Sequence, residues 1–244
     1  MNIYFIQNDP IVLPANAEEW ARARNHNVKI TRTYNGEALP DQKEFDLAII
    51  LGGRMGAYEE DKYPWLIDVK EWTKAMIEAD KYILGICLGA QIISDTLGGS
   101  VRPHDHPEVG WFPINFKEEA NDHPLLTGLQ PPTQFYEFHF DTFEIPPGAQ
   151  LLASSRTCAR QMFAVGSRVL GVQFHPEFTA KSIQDALNNT SETNAANHYA
   201  QDPVVMVDEQ SIELSKAWLF QLLDRFWHLA SSDKERTVND KRDF

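Results

Sequence analysis

Residues 82–90 read YILGICLGA, an apolar segment interrupted by a cysteine with a glycine two positions away on each side. Residues 82–86 predict a strand, and residues 88–97 predict a short helix that ends at Gly98-Gly99. The order is therefore strand, sharp turn and helix, with Cys87 in the turn. In an open α/β sheet, such a turn lies at the carboxyl ends of the strands, where ligands bind.

The segments that flank this turn predict a mostly parallel sheet. Residues 47–51 form a continuous apolar run that stops at Gly52-Gly53, as is typical of a strand buried on both faces. Apolar side chains recur every three or four positions over residues 65–79, which predicts a helix with one buried face. Further strands are predicted at residues 2–6 and 28–33, and a further helix at residues 16–25.

The second half of the chain is richer in short strands. We predict strands at residues 111–116, 134–140, 150–154, 161–165 and 168–174, followed by helices within residues 179–200 and 209–229. Together these elements predict a single domain over residues 1–230. Residues 231–244 are mostly charged and polar, which predicts a loosely held polar C-terminal tail.

The composition indicates a globular protein, since 43% of the 244 residues are hydrophobic and 23% are charged. Lysine and arginine total 22 against 35 acidic residues, a formal net charge of -13, which argues against nucleic acid and membranes as partners. No basic leader precedes the first apolar run, and no apolar run reaches about 18 residues, so we expect a soluble, cytoplasmic protein. Two cysteines, Cys87 and Cys158, are too few for a disulfide framework.

The segment Gly85-Ile86-Cys87-Leu88-Gly89 has the form of a nucleophile elbow with cysteine in place of serine. Glycine neighbours tolerate the crowded backbone of a tight strand-to-helix turn, which lifts the nucleophile out of the surface. The N-terminus of the following helix would favour the thiolate form of Cys87. The short match is equally compatible with an ordinary buried thiol, so the assignment needs a partner base.

The segment His175-Pro176-Glu177 supplies such a base at the end of a predicted strand. Side chains two residues apart in an extended chain point to the same side, and Pro176 disfavours a helical conformation at His175. Glu177 can then accept a hydrogen bond from one imidazole nitrogen while the other faces the thiol. Either residue alone is compatible with an ordinary surface group, but with the elbow they predict a nucleophile, a base and an orienting carboxylate.

With these segments the sequence resembles the class I glutamine amidotransferase family from about residue 3 to residue 177. Residues 87–91 resemble its nucleophile motif, residues 171–177 its His-x-Glu motif, and residues 51–53 the end of its oxyanion strand. The resemblance implies a three-layer, flavodoxin-like α/β fold with a mostly parallel central sheet flanked by helices. It also implies catalytic roles for Cys87, His175 and Glu177, oxyanion stabilisation by the N–H groups of Gly53 and Leu88, and substrate binding by Gln91, His139 and Asp141.

Within that family the sequence is similar to stand-alone proteins like the glutaminase domain of GMP synthase, over residues 109–111, 139–143 and 146–149. This resemblance implies that Asp141 holds the α-ammonium group of the substrate. The usual Ser-His-Gly-Asp motif has become Phe138-His139-Phe140-Asp141, so two aromatic side chains flank His139 in the predicted pocket. Arg54 also stands where relatives often carry proline.

The predicted reaction hydrolyses the γ-amide of glutamine through a cysteine thioester, without a metal or organic cofactor. Because the chain has no P-loop, we expect the ammonia to pass to a synthase partner. A γ-glutamyl peptidase or hydrolase acting on γ-glutamyl amides or peptides is the alternative that Phe138 and Phe140 favour. A catalytically silent regulatory module is a third hypothesis, against which the intact Cys87, His175 and Glu177 argue.

Two other features have structural interpretations. The segment His104-Asp105-His106 lacks the rest of a metal-ligand set, so we predict a solvated turn there. Cys158 lies between Arg156 and Arg160 in a polar stretch, and we predict that it is structural.

Overall fold

The computed structural model describes residues 1–189 and 201–240, which form ten strands and six α-helices. The strands are β1 (Asn2–Gln7), β2 (Asn27–Arg32), β3 (Leu47–Ile50), β4 (Tyr82–Ile86), β5 (Val101–Pro113), β6 (Asn115–Phe116), β7 (Gln134–Phe143), β8 (Gln150–Ser154), β9 (Met162–Val165) and β10 (Val169–Val172). The helices are α1 (Ala15–Ala23), α2 (Trp65–Glu78), α3 (Leu88–Thr96), α4 (Ala180–Asn188), α5 (Pro203–Met206) and α6 (Glu209–Asp240).

The larger of two sheets has the strand order β2-β1-β3-β4-β10-β9-β8-β6. The strands from β2 to β10 in that order pair in parallel, and β9, β8 and β6 continue the sheet in antiparallel fashion. Strands β5 and β7 pair antiparallel as a separate two-stranded sheet. The prediction of an α/β fold with a mostly parallel central sheet flanked by helices is therefore confirmed.

Apolar side chains on both faces of the large sheet explain its covering helices. In β1, Ile3 and Phe5 belong to a cluster with side chains of α1 and α6, whereas Tyr4 and Ile6 belong to a cluster with side chains of α2 and α3. Alternate residues of a strand face opposite sides, so β1, β3 and β4 each contribute to both clusters. Burying a large apolar side chain stabilises the fold by about 1.5–3 kcal/mol, which holds the helices against the sheet.

The two-stranded sheet differs from the sequence prediction. Strand β5 begins at Val101, well before the strand predicted at residues 111–116, and it includes the His104-Asp105-His106 segment for which a solvated turn was predicted. Its pairing with β7 is irregular between Pro103 and Glu108. Prolines and charged residues interrupt the alternation of apolar and polar residues that predicts a strand. Proline also argues against a strand because it cannot donate a hydrogen bond to the neighbouring strand.

Helix α6 continues past residue 230, where the sequence predicts that the domain ends and a polar tail begins. Asp233 accepts a hydrogen bond from the Tyr82 hydroxyl at 2.8 Å and pairs with Arg168 at 2.8 Å. Lys234 pairs with Asp46 at 2.7 Å. Residues 231–240 are therefore helical and are tied in part to the sheet, while residues 241–244 lie outside the described residues.

The helix predicted within residues 179–200 is described in part. Helix α4 follows Thr179, whose Oγ1 accepts a hydrogen bond from the Ser182 N–H at 3.1 Å and so caps the helix. The rest of that prediction, residues 190–200, lies outside the described residues. Across the part of the chain that is described, no helix combines the length and the apolar character needed to cross a membrane.

Candidate active site

Cys87 occupies the sharp turn between β4 and α3. Its backbone has φ 51° and ψ -108°, a conformation that side chains rarely adopt, and its N–H donates to the Val172 carbonyl at 2.8 Å. A Cβ atom at Gly85 would lie 2.6 Å from the Gly89 carbonyl group, and one at Gly89 would overlap the carbonyl oxygen of Ile50. The turn predicted from these glycines is present, and both positions have room for glycine alone.

His175 and Glu177 form a buried pair beside this turn. His175 Nδ1 lies 2.8 Å from Glu177 Oε1, and the His175 backbone N–H donates to the Tyr136 carbonyl at 2.8 Å. The Cys87 side chain also interacts electrostatically with the imidazole. A Cβ atom at Gly52 would lie 3.2 Å from His175 Cε1 and 3.5 Å from Cys87 Cβ. The structure thus brings the three predicted catalytic side chains together.

The charges around His175 favour its protonated form. Burial alone lowers the pKa of an imidazole, but the negative charges of Glu177 and then Cys87, with their hydrogen bonds, outweigh burial and raise the pKa of His175 to about 10. Because Nδ1 is bonded to Glu177, Nε2 is the nitrogen that remains to face Cys87. At neutral pH this site can therefore present a proton donor next to the thiol.

The predicted oxyanion donors Gly53 and Leu88 lie side by side. A Cβ atom at Gly53 would be 2.7 Å from Leu88 Cδ2 and 2.5 Å from Met55 Sδ, so a larger residue at this position would require a shift. Leu88 is the first residue of α3, where helix geometry leaves the N–H without an acceptor inside the helix. The placement fits two N–H donors near Cys87, and their action on an oxyanion stays a prediction.

A cavity of about 250 Å³ opens beside Cys87 and His175. Gln91, His139 and Asp141, the predicted substrate residues, also line it. Much of the remaining wall is apolar and comprises Ile11, Val12, Met55, Phe138, Phe140 and Phe178. A concave site with an apolar wall and a few polar groups has the character of a small-molecule pocket.

The predicted substrate residues differ in how many hydrogen bonds they make to other residues of the protein. Asp141 accepts a hydrogen bond from the Tyr58 hydroxyl at 3.2 Å, and Gln91 donates to another buried side-chain amide at 3.2 Å. His139 places Nδ1 2.8 Å from the Asp141 carbonyl and Nε2 3.0 Å from Glu108 Oε2. Both ring nitrogens of His139 are thus committed within the protein, so Asp141 is the stronger candidate for a polar contact with a substrate.

The contact between Arg54 and Asp9 was not predicted from the sequence. Arg54 donates to the Asp9 carboxylate from Nε at 2.8 Å, from Nη2 at 3.1 Å and from its backbone N–H at 3.1 Å. The hydrogen bond with Asp9 raises the pKa of Arg54, which lines the cavity. Asp9 is the second residue after β1, and its position at the carboxyl end of that strand was the signal for it.

The sequence did not predict that buried polar side chains on β5, β7 and the segment before β9 lie together. Glu108, His139 and Cys158 bring an oxygen, a nitrogen and a sulfur atom within 4.8 Å of one another, a set that could ligate a metal ion. However, the Glu108 carboxylate already accepts hydrogen bonds from the side chains of Ser155, Thr157, His139 and Gln161. Protein donors therefore satisfy this carboxylate, and we assign no metal to it.

The fold is that of an amidotransferase, with Cys87, His175 and Glu177 together at its candidate site. A match of the sequence to a protein-family model agrees with this class. The model of the family "Glutamine amidotransferase class-I" matches residues 15–191, and the chain belongs to that family. The family membership predicted from three short motifs is thereby confirmed.

Similar proteins extend over most of the chain. YfeJ of Salmonella typhimurium, described as glutamine amidotransferase-like, is 28% identical over 232 residues, which cover 93% of this chain and 95% of YfeJ. One component of the glutamine-hydrolysing GMP synthase of Sulfolobus acidocaldarius is 37% identical over 153 residues, 61% of this chain and 77% of that component. A glutamine amidotransferase from Thermotoga maritima has a crystal structure with a TM-score of 0.82 at 27% identity, covering 93% of this chain and 97% of that one.

Proposed function

We propose that this chain hydrolyses the side-chain amide of glutamine through a γ-glutamyl thioester on Cys87. The observation that carries the proposal is the buried His175–Glu177 pair, 2.8 Å apart, which lies beside a cysteine on a strained strand-to-helix turn. Membership of the class I glutamine amidotransferase family and similarity to a component of a glutamine-hydrolysing synthase support glutamine as the substrate.

In the first half of the reaction, Cys87 Sγ attacks the amide carbon of glutamine as a thiolate. The backbone N–H groups of Gly53 and Leu88 would stabilise the negative charge that develops on the carbonyl oxygen. His175 then donates its Nε2 proton to the amide nitrogen, the C–N bond breaks and ammonia leaves. Glu177 holds the orientation of the ring and stabilises its charged form.

Water completes the reaction. His175, now neutral, accepts a proton from a water molecule as the water oxygen attacks the thioester carbon, and the C–S bond breaks through a second tetrahedral intermediate. Glutamate leaves, Cys87 returns to the thiolate, and His175 carries the proton again. We assign the α-ammonium group of the substrate to Asp141, because a carboxylate makes charge-assisted hydrogen bonds with an ammonium.

Steady-state turnover of glutamine, with glutamate and ammonia released in equal amounts, tests the proposal. A glutamine analogue bearing an electrophilic diazoketone should label Cys87 and block turnover at one equivalent per chain. The Cys158→Ala variant is the matched control, because it removes the other free thiol. Peptide mapping that finds the label on Cys158, with Cys87 untouched, would contradict the proposal.

A γ-glutamyl peptidase is a second candidate, favoured by Phe138, Phe140 and Phe178 on the cavity wall. An amine leaving group larger than ammonia would gain about 25 cal/mol for each Å² of apolar surface buried against these rings. A kcat/KM for γ-glutamylphenylalanine above that for glutamine would support this candidate. The double variant Phe138→Ser, Phe140→Gly, which restores the usual family motif, should then shift the preference back toward glutamine.

Ammonia released from glutamine needs an acceptor. The relative in Sulfolobus acidocaldarius is one component of a GMP synthase, and by similarity we assign the acceptor of this chain to a cytoplasmic synthase partner. A reducing cytoplasm also suits two free cysteines. We expect glutamine turnover to rise when the GMP synthase of the same cell is added, and turnover independent of that synthase would contradict this partner.

A further inference from the structure

Strand β7 touches the candidate active site with its backbone. The Tyr136 carbonyl accepts the hydrogen bond of the His175 N–H at 2.8 Å, and the Phe138 carbonyl lies 3.9 Å from Cys87 Sγ. The side chains of the same strand reach a separate group of residues, here called the buried polar cluster. This cluster consists of Glu108, Glu137, His139 and Gln161, all at most 2% exposed.

Within the buried polar cluster, Glu108 is surrounded by donors. Its Oε1 accepts from the hydroxyl groups of Ser155 and Thr157, and its Oε2 accepts from His139 Nε2 at 3.0 Å and from Gln161 Nε2 at 2.7 Å. Although burial opposes the charge, these hydrogen bonds, led by that of His139, lower the pKa of Glu108. Four donors on two oxygens fit a carboxylate, which accepts hydrogen bonds and donates none.

His139 faces an acceptor at each ring nitrogen. Nδ1 lies 2.8 Å from the Asp141 carbonyl oxygen, and Nε2 lies 3.0 Å from the Glu108 carboxylate. A neutral imidazole carries one N–H and can donate only one of these two hydrogen bonds. The two neighbours of the ring are thus both acceptors, and the one at Nε2 is the Glu108 carboxylate.

Glu137 has the opposite surroundings. Among the described residues, neither of its carboxyl oxygens has a hydrogen-bond partner of good geometry. The nearby Gln161 amide favours the charged form of Glu137, but burial outweighs it. His139 Nε2 lies 3.4 Å from Glu137 Oε2, but its hydrogen bond goes to Glu108. A neutral Glu137 carboxyl group would remove this uncompensated buried charge.

None of the ionisable groups that face Glu137 compensates its charge, since three of them are acidic and the fourth, His139, hydrogen-bonds Glu108. They are Glu108 on β5, His139 on β7, Cys158 before β9 and Cys87 at the turn before α3. Burial, followed by the charges of Glu108 and the two cysteines, raises the pKa of Glu137 well above its ordinary value. The His104 ring lies edge-on to the His139 ring, with the two centroids 5.7 Å apart, and burial lowers the pKa of His104, which disfavours its cationic form.

We propose that Glu108 and Glu137 are a pair of buried glutamates in opposite protonation states, one a carboxylate and one a carboxylic acid, that hold β7 in register with His175 and Cys87. Neither side chain lines the cavity, so both are positioning residues that act through the β7 backbone. The effect on turnover rests on the proposed function, whereas the two protonation states do not.

Three variants separate the two glutamates. Glu137→Gln supplies an N–H donor without a titratable proton, so we expect kcat and KM within about threefold of wild type. Glu137→Ala leaves a gap in the buried polar cluster. Glu108→Gln replaces one carboxylate oxygen with an NH₂ group, which then faces side chains that are themselves donors. Each should lower kcat by about 100-fold, the loss that a displacement of about 1 Å can cause, while KM changes less. Rescue by Gln at residue 137 but not at residue 108 is the signature of opposite protonation states.

Infrared spectroscopy measures the protonation states without any turnover. The C=O stretch of a buried carboxylic acid should persist from about pH 6 to about pH 9 in the wild type, well above the usual pKa of about 4.3 for glutamate, and should be absent in Glu137→Gln. If Glu108→Gln or Glu137→Ala fails to fold, this band and the activity of Glu137→Gln still decide the matter.

Two results would overturn the inference. One is a wild-type spectrum without that band, and the other is a loss of kcat in folded Glu137→Gln as large as in Glu108→Gln. A wild-type protein that shows the band, and loses it in Glu137→Gln, but does not hydrolyse glutamine would contradict the proposed function and support the pair.

Discussion

Cys87 and Cys158 are the same residue type in two opposite environments, although both are buried and unpaired. Cys87 lies at a turn of positive φ beside an imidazole whose pKa is raised. Cys158 Sγ lies 3.4 Å from the Arg160 carbonyl oxygen and 3.6 Å from the Thr142 hydroxyl, and burial raises the pKa of its thiol. The difference shows that a proton-accepting partner and a tight turn, more than exposure, distinguish a candidate nucleophile from a structural thiol.

The largest difference between the two cysteines is expected on removal of each thiol. Cys87→Ala and Cys87→Ser should each lower glutamine turnover by more than about 10⁴-fold, because no other group on the turn can form the thioester. Purified variants are compared by the rate of glutamate release, with circular dichroism to check folding. Comparable losses in Cys87→Ala and Cys158→Ala would refute the distinction.

A smaller loss is expected when the partner of His175 changes. Glu177→Gln keeps the size of the side chain but removes the charge that stabilises the imidazolium, so kcat should fall by roughly 10- to 1000-fold with little change in KM. The loss should be smaller than that of Cys87→Ala or His175→Ala. Full kcat in Glu177→Gln together with an inactive His175→Ala would mean that another group orients the ring.

The pH dependence of turnover gives a second test of how Glu177 acts on His175. Because the pKa of His175 is raised to about 10, its proton is present throughout the neutral range and is lost as the pH rises through that value. We expect kcat for glutamine to fall along this alkaline limb, since the departing ammonia then lacks a proton donor. Removing the Glu177 charge lowers the pKa, so the limb of Glu177→Gln should move to lower pH. Identical limbs in the two proteins would contradict the assignment of His175.

The smallest effect on turnover is expected at Cys158. Cys158→Ala should keep kcat within about threefold of wild type, since its partners Thr142 and Arg160 are not in the candidate triad. Loss of a buried sulfur should lower Tm by about 2–4 °C, the shift that corresponds to roughly 1 kcal/mol in a chain of this size. A drop in kcat beyond tenfold, with Tm unchanged, would show that Cys158 takes part in the reaction.

Short-range patterns account for the features that the sequence predicted. The glycines at positions 85 and 89 fit one tight turn, and Pro176 separates two side chains that need to face the same way. Continuous apolar runs at β3 and β4 indicate strands covered on both faces. Each of these signals lies within about five residues, where local sterics and periodicity decide the outcome.

Long-range contacts account for what the sequence did not show. Glu108 meets His139 across the pairing of β5 with β7, and Gln161 reaches the same carboxylate from the start of β9. No local spacing predicts that such residues converge, because the register of distant strands depends on tertiary packing. Residues 231–240 are polar, and their composition did not predict a helix. They continue helix α6, and two ion pairs to distant residues help to hold them in place.

The positive φ of Cys87 means that thermal stability and the proposed reaction favour different residues at this position. A side chain in such a conformation destabilises the folded state by about 1–3 kcal/mol, and glycine relieves that strain. Cys87→Gly should therefore melt a few degrees above Cys87→Ala, which keeps a Cβ atom at the same place, although neither variant can form a thioester. If calorimetry bears this out, thermal stability alone would favour loss of the thiol, and retention of cysteine at this turn would reflect the demands of the reaction.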